Sequence, residues 1–220
     1  MMARYAWSLA LPPPTVDLLV AQLAEGFHEL ANARLEDFSF ELPEPRITKR
    51  LVIHLQTMAP VASNVGFWDF EVPQDNKDQT DPRRLDIRWA TIIDNKFQMK
   101  LVFECKKLSK PDERRHKTML RGYTGQGILR FVQGSYAPET SVGFMVAYAQ
   151  DTASNAMQSV RRALSAGSWA VTLQMLAYEG GGLCRKPAQD LAAPVDFETR
   201  HARSHAGFPD ITLYHVALPF

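Results

Sequence analysis

The run LVFECKKL, residues 101–108, sets a glutamate and two lysines at the end of an otherwise apolar strand. Leu101, Val102 and Phe103 ask for burial, and a buried strand rarely carries Glu104, Lys106 and Lys107 without a partner or a task. Side chains alternate across a strand, so Met99, Leu101, Phe103 and Cys105 take one face while Lys100, Val102, Glu104 and Lys106 take the other. In the preceding RRLDIRWATII, Leu85, Ile87 and Trp89 form the apolar set and leave Asp86 and Arg88 opposite. Asp94-Asn95-Lys96 reads as a tight turn, and an antiparallel hairpin about Asn95 brings Asp86 to Glu104 and Lys106. Two carboxylates brought together repel each other unless something positive lies between them. Hard divalent cations are held by one or two carboxylates plus water and phosphate oxygens. A lysine beside such an ion can orient the attacking water and stabilise charge on a phosphate. The competing explanation is a solvated cross-strand ion-pair network, which contributes little to stability.

The elements that must position these residues follow from the hydrophobic pattern. Leu18, Leu19, Leu23, Phe27, Leu30 and Ala31 recur at helical spacing after Thr15 or Asp17, either of which can cap a helix. Ile47, Leu51 and Leu55 mark a second helix starting near Pro45, with Glu41 and Glu44 in its acidic opening. GFWDFEV (66–72) is a strand, and PQDNKDQTDPRR after it is a surface loop rich in turn formers. From Pro111 to about Gly134 the apolar period lengthens, and Met119, Tyr123, Gly127 and Phe131 fall on one helical stripe. SVGFMVAYA (141–149) is a buried-type strand, and a crossover through that helix makes it parallel to its predecessor. A helix from Thr152 to Ala166, a Gly180–Gly182 turn and strands near 195–201 and 211–218 complete a single α/β domain over 1–220.

Asp86, followed after a hairpin by Glu104-Cys105-Lys106, resembles the signature of the PD-(D/E)XK nuclease superfamily, the restriction-endonuclease-like fold. The helix–strand–strand–strand–helix–strand order from about 45 to 149 is similar to that family's core, although Leu85 stands where the family pattern has proline. The resemblance implies a restriction-endonuclease-like core, a mixed central β-sheet flanked by helices, with an N-terminal helix and C-terminal additions. It implies a metal-dependent nuclease acting on phosphodiester bonds, DNA favoured. Catalysis would rest on Asp86, Glu104 and Lys106, with Mg2+, or Mn2+ in its place, held by Asp86, Glu104 and Glu44 of the first core helix. Family members often present Gln or Tyr from the helix after the Glu-x-Lys strand, and here Tyr123, Gln126 and Arg130 share one helical face. Lys107, Lys110, Arg114, Arg115 and Lys117 stand against only Asp112 and Glu113, a basic run able to neutralise phosphates. A homodimer or a subunit of a larger complex, including bacterial phage defence, is implied in the same way. A noncatalytic nucleic-acid-binding or scaffold subunit with this fold is the alternative, and an RNA nuclease is a third.

Composition bounds the choice. With 45% hydrophobic and 22% charged residues, the 220-residue chain has the make-up of a globular protein, and no apolar run approaches a bilayer span. Pro12–Pro14 interrupt the apolar N-terminal stretch before a signal-peptide core forms, so a cytoplasmic location is expected. A net charge of +1 excludes a uniformly basic nucleic-acid binder and leaves a local basic face open. Cys105 and Cys184 give neither a disulfide framework nor a cysteine-rich zinc site. His201 and His205 have helix-ligand spacing, but the segment reads as a loop, and hydrogen-bonded or surface histidines are expected. No Gly-rich phosphate loop, nucleophile elbow or dinucleotide fingerprint is present.

Overall fold

The computed structural model describes residues 13–59, 66–73, 84–93, 97–138, 140–187, 194–203 and 206–220. Helix α1 (Pro13–Asn32) opens on prolines, whose missing N–H has no partner in a first turn anyway. It begins before the expected caps Thr15 and Asp17, and buries Val16, Leu19, Val20, Leu23, Phe27 and Leu30 at the 3.6-residue period. Leu18, expected in that apolar set, faces outward at 47% exposure. Helix α2 (Glu44–Thr57) follows an N-terminal Pro43, carries Pro45 in its first turn and buries Ile47, Thr48, Leu51, Val52 and Leu55.

Seven strands form one sheet: β1 (Gly66–Pro73), β2 (Arg84–Ile93), β3 (Phe97–Leu108), β4 (Val142–Ala149), β5 (Met175–Leu176), β6 (Val195–His201) and β7 (Ile211–Pro219). Their order is β1-β2-β3-β4-β7-β6-β5, with β3, β4 and β7 parallel and every other pairing antiparallel. The expected hairpin is present: Ile93 pairs with Phe97 and Ile87 with Phe103. Its turn, Asp94-Asn95-Lys96, and most of the 73–84 loop lie outside the described residues. Strand alternation divides the interior into two layers. Ile87, Trp89, Leu101, Phe103 and Cys105 pack with α1 and α2, while Val102, Met145, Ala147, Phe197 and Leu213 face the other way. Fully burying each such aliphatic or aromatic side chain contributes about 1.5–3 kcal/mol.

The second layer is covered by α3 (His116–Arg121), a π-helical stretch (Gly122–Ile128), α4 (Leu129–Val132) and α5 (Ala153–Ser165), whose Thr152 hydroxyl accepts the Asn155 N–H at 3.3 Å. Residues 111–115 are turns, so the helix expected from Pro111 starts at His116. The wide π-helical turn has a local cause. The Thr124 hydroxyl donates to the Leu120 carbonyl at 3.0 Å and competes with the ladder there, in a stretch where three glycines weaken regular α-helix. A short α6 (Gly167–Thr172) leads into β5. Among the described residues, no helix is long and apolar enough to cross a membrane.

Candidate active site at the fork between two strands

The β2–β3 ladder ends at the pair Ile87–Phe103. Beyond it the Asp86 carboxylate replaces a ladder partner: Oδ2 accepts the Cys105 backbone N–H at 2.8 Å. Glu104, next along β3, pairs with Met145 of β4 and is completely buried. The sequence places Glu104 on the face opposite the α1/α2 core, and it does lie there. That face is not open, however, because the π-helical turn roofs it. A Cβ on Gly127 would stand 3.7 Å from Glu104 Cγ and only 2.5 Å from Met145 Cε, so a larger residue here would have to displace the tip of the buried Met145 side chain.

Glu44, at the start of α2, completes the cluster. Its Oε1 accepts from Lys106 Nζ at 2.8 Å and its Oε2 accepts the Lys107 backbone N–H at 3.1 Å. Lys106 Nζ lies 2.9 Å from Glu104 Oε1 and 3.5 Å from Asp86 Oδ2, and donates to the Cys105 carbonyl at 2.7 Å. Three carboxylates therefore surround one ammonium. Burial pushes the Glu104 carboxyl up to about 8, Asp86 adds to this, and Lys106 and Arg130 pull the other way. Burial raises Glu44 too, against the pull of Lys106. For Lys106, burial favours loss of the proton, but Glu104, Asp86 and Glu44 together more than reverse it and hold the ammonium charged.

The donor chemistry suits a hard cation. Neither Glu104 oxygen accepts an aligned hydrogen bond, and both are sealed from solvent; the 2.9 Å approach to Lys106 is a charge contact without that alignment. An unspent, desolvated carboxylate with two more carboxylates beside it fits Mg2+ or Mn2+, which prefer oxygen donors. Asp86, Glu104 and Glu44 are the carboxylates that would have to turn from Lys106 to hold it. Among the described residues no group of three or more His, Cys, Asp or Glu is set to grip a metal as it stands, since these three converge on Lys106 instead.

The expected nucleic-acid contacts divide. Lys110, Arg114, Lys117 and Gln126 are exposed, and Arg130 is half-buried at the site's rim, its Nη1 3.7 Å from Glu104 Oε1. Tyr123 is corrected: it is fully buried and offers no surface to a substrate, because the π-helical turn rotates it away from Gln126 and Arg130. Arg115 keeps part of its side chain exposed, with Glu41, Glu113 and Gln150 holding its guanidinium over the Phe40 ring. Lys107 is committed as well, its Nζ donating to the Leu42 carbonyl at 2.8 Å over the same ring. Strand alternation did separate Lys107 from Lys106 as expected.

Other supporting residues left little trace in the sequence. The Tyr136 hydroxyl accepts a hydrogen bond from Arg130 and aims it at Glu104, and only the short Arg130–Tyr136 spacing hints at this. Tyr148 bridges Thr48 of α2 to the Cys105 thiol, tying the helix that carries Glu44 to the strand that carries Glu104. Behind the π-helical turn runs a buried chain. Because the Leu173 carbonyl can only accept, His201 donates from Nδ1, Thr199 donates to His201 Nε2, His215 donates from Nε2 to Thr199, and Tyr123 donates to His215 Nδ1. Burial keeps both histidines neutral, His201 with its pKa lowered to about 4. His201 is hydrogen-bonded, as expected of it, and so is His215, while His205 lies outside the described residues. Comparison with protein-family models, curated proteins and solved structures finds no match to this chain.

Proposed function

We propose that the chain is a metal-dependent nuclease with a restriction-endonuclease-like core, hydrolysing phosphodiester bonds, DNA before RNA, in the cytoplasm. One observation carries this reading: a fully buried glutamate at a strand fork, its Oε2 without a hydrogen-bond partner and its Oε1 in a 2.9 Å charge contact with Lys106, beside an aspartate and a second glutamate. A purely structural ion pair would leave no oxygen over, whereas Oε2 is buried without a partner, and an unsatisfied buried acceptor costs about 1–3 kcal/mol.

When bound, Mg2+ would supply Lewis-acid stabilisation of phosphate charge and lower the pKa of a water. The chain's own residues do the rest. The Cys105 N–H orients Asp86, and the Lys107 N–H orients Glu44. Lys106 brings a positive charge to the site, where it can orient a water and stabilise the transition state. Arg130 spends Nη1 on Tyr136 and, with part of its side chain exposed, has further donors that could meet a phosphate oxygen. Exposed Lys110, Arg114 and Lys117 extend the positive surface along the entry to α3. The noncatalytic scaffold reading has one observation in its favour, the partial neutralisation of the cluster by Lys106. Incubation with plasmid, linear duplex, single-stranded DNA and RNA, in magnesium or in chelator, separates the readings: cleavage in magnesium alone supports the nuclease, and intact substrates throughout support the scaffold.

A further inference from the structure

Lys106 has a position that its role beside a phosphate does not require. Its Nζ lies 2.8 Å from Glu44 Oε1, 2.9 Å from Glu104 Oε1, 3.5 Å from Asp86 Oδ2 and 2.7 Å from the Cys105 carbonyl. An ammonium has three donors, and here four oxygens crowd it. The amine sits at the point on which the acidic side chains converge. The shortest contacts go to Glu44 and the Cys105 carbonyl, while Glu104 is left without an aligned bond. One ammonium is thus enough to hold the cluster together and too few donors to satisfy it.

A magnesium ion draws oxygens to about 2.0–2.1 Å. An ion that takes Oε1 of Glu44 and of Glu104 competes for the oxygen that Lys106 bonds at 2.8 Å and the one it faces at 2.9 Å, and two cations do not share them at contact distance. From this we infer that Lys106 is the resident cation of the acidic cluster, and that loading a divalent ion is an exchange in which the ammonium must leave the carboxylates. The inference rests on the metal-dependent reading and goes beyond it, to what opposes loading in the metal-free protein. The lysine stem can make the move, since it is a flexible chain with 12% of its side chain still exposed, and a substrate phosphate is an anion able to receive the released amine. Lys107 is no substitute, because its Nζ is bound to the Leu42 carbonyl. The apparent affinity for the ion is then lowered by the fraction of molecules whose amine is still in place.

Titration calorimetry with Mg2+ alone tests this on the full chain and on Lys106→Met, at pH 9 so that protons do not refill the vacated place. The variant is expected to bind at least about tenfold tighter than the parent. Equal or weaker binding by the variant, with the parent still binding, overturns the exchange and leaves the nuclease reading standing. Binding by neither overturns both. Should the variant misfold, the parent supplies a second measurement, reductive methylation read by mass spectrometry. Lys106 is expected to be protected in chelator and modified in magnesium, with exposed Lys110 modified equally in both; protection that magnesium leaves unchanged overturns the inference.

Discussion

Replacing Glu104 with Gln keeps the shape of a fully buried side chain and removes its ability to ionise. In the unfolded chain this carboxyl loses its proton near 4.5, whereas the folded protein holds it to about 8, first through burial and then through Asp86. Between those values the folded state binds more protons than the unfolded state, so the contribution of Glu104 to stability is full below 4.5 and is lost as the pH rises through 8. At about 1.4 kcal/mol for each pH unit of that interval, the loss has a ceiling of about 5 kcal/mol. Gln pays none of it. The stability advantage of Glu104→Gln should therefore grow by about 3 kcal/mol from pH 5.5 to pH 8.5, or about 6–12 °C in Tm for a chain of this size. Denaturant titrations of parent and variant in chelator, repeated across that range, read the slope directly. A gap that stays flat, or a variant that loses ground as the pH rises, would mean that Glu104 is ionised in the folded protein and firmly paired with Lys106, which removes the argument for an unspent carboxylate.

Three further outcomes test the surroundings of the site. Arg130→Ala should lower turnover on the order of tenfold with magnesium affinity unchanged, and Tyr136→Phe should act only through Arg130, so the double variant should be no worse than Arg130→Ala; additive losses in a kinetic cycle count against that. Replacing Arg114 and Lys117 with Ala should weaken DNA binding and lower the salt slope by about one for each lost phosphate contact, whereas Arg115→Ala should mainly destabilise the fold, as binding isotherms over salt and thermal melts would tell. Gly127→Ala forces a methyl against Met145 and toward Glu104 and should cost about 1–3 kcal/mol in a denaturant titration, while a neutral result would mean that the π-helical roof is loose.

What the sequence made legible was local and periodic. Alternation along 84–93 and 97–108 was enough to set Asp86 beside Glu104 and to part Lys106 from Lys107, because one buried face fixes a hairpin's register. Glu44 was legible as a carboxylate at the first turn of α2. The roof was not: regular helical spacing puts Tyr123 with Gln126 and Arg130, and the Thr124 hydroxyl and the glycines that widen the turn carry no periodic signal. Nor was the fate of the charge run, since Arg115 is neutralised by Glu41 from far away in the chain, a pairing that only the fold creates. The burial of Glu104 has the same origin, as the residues that seal it come from a different element.

The central claim is that Asp86, Glu104 and Lys106 form a metal-dependent phosphodiesterase centre, and plasmid cleavage by the parent and by Asp86→Ala tests it most directly. Asp86 sits at the fork, half-buried, and its loss removes one carboxylate and one acceptor for the Cys105 N–H, a cost of about 1–3 kcal/mol. The account predicts that the parent converts supercoiled plasmid in magnesium and not in chelator, and that Asp86→Ala, folded by circular dichroism, leaves it supercoiled in both. Cleavage by the variant at the parent's rate, or by the parent at the same rate in chelator, would contradict it.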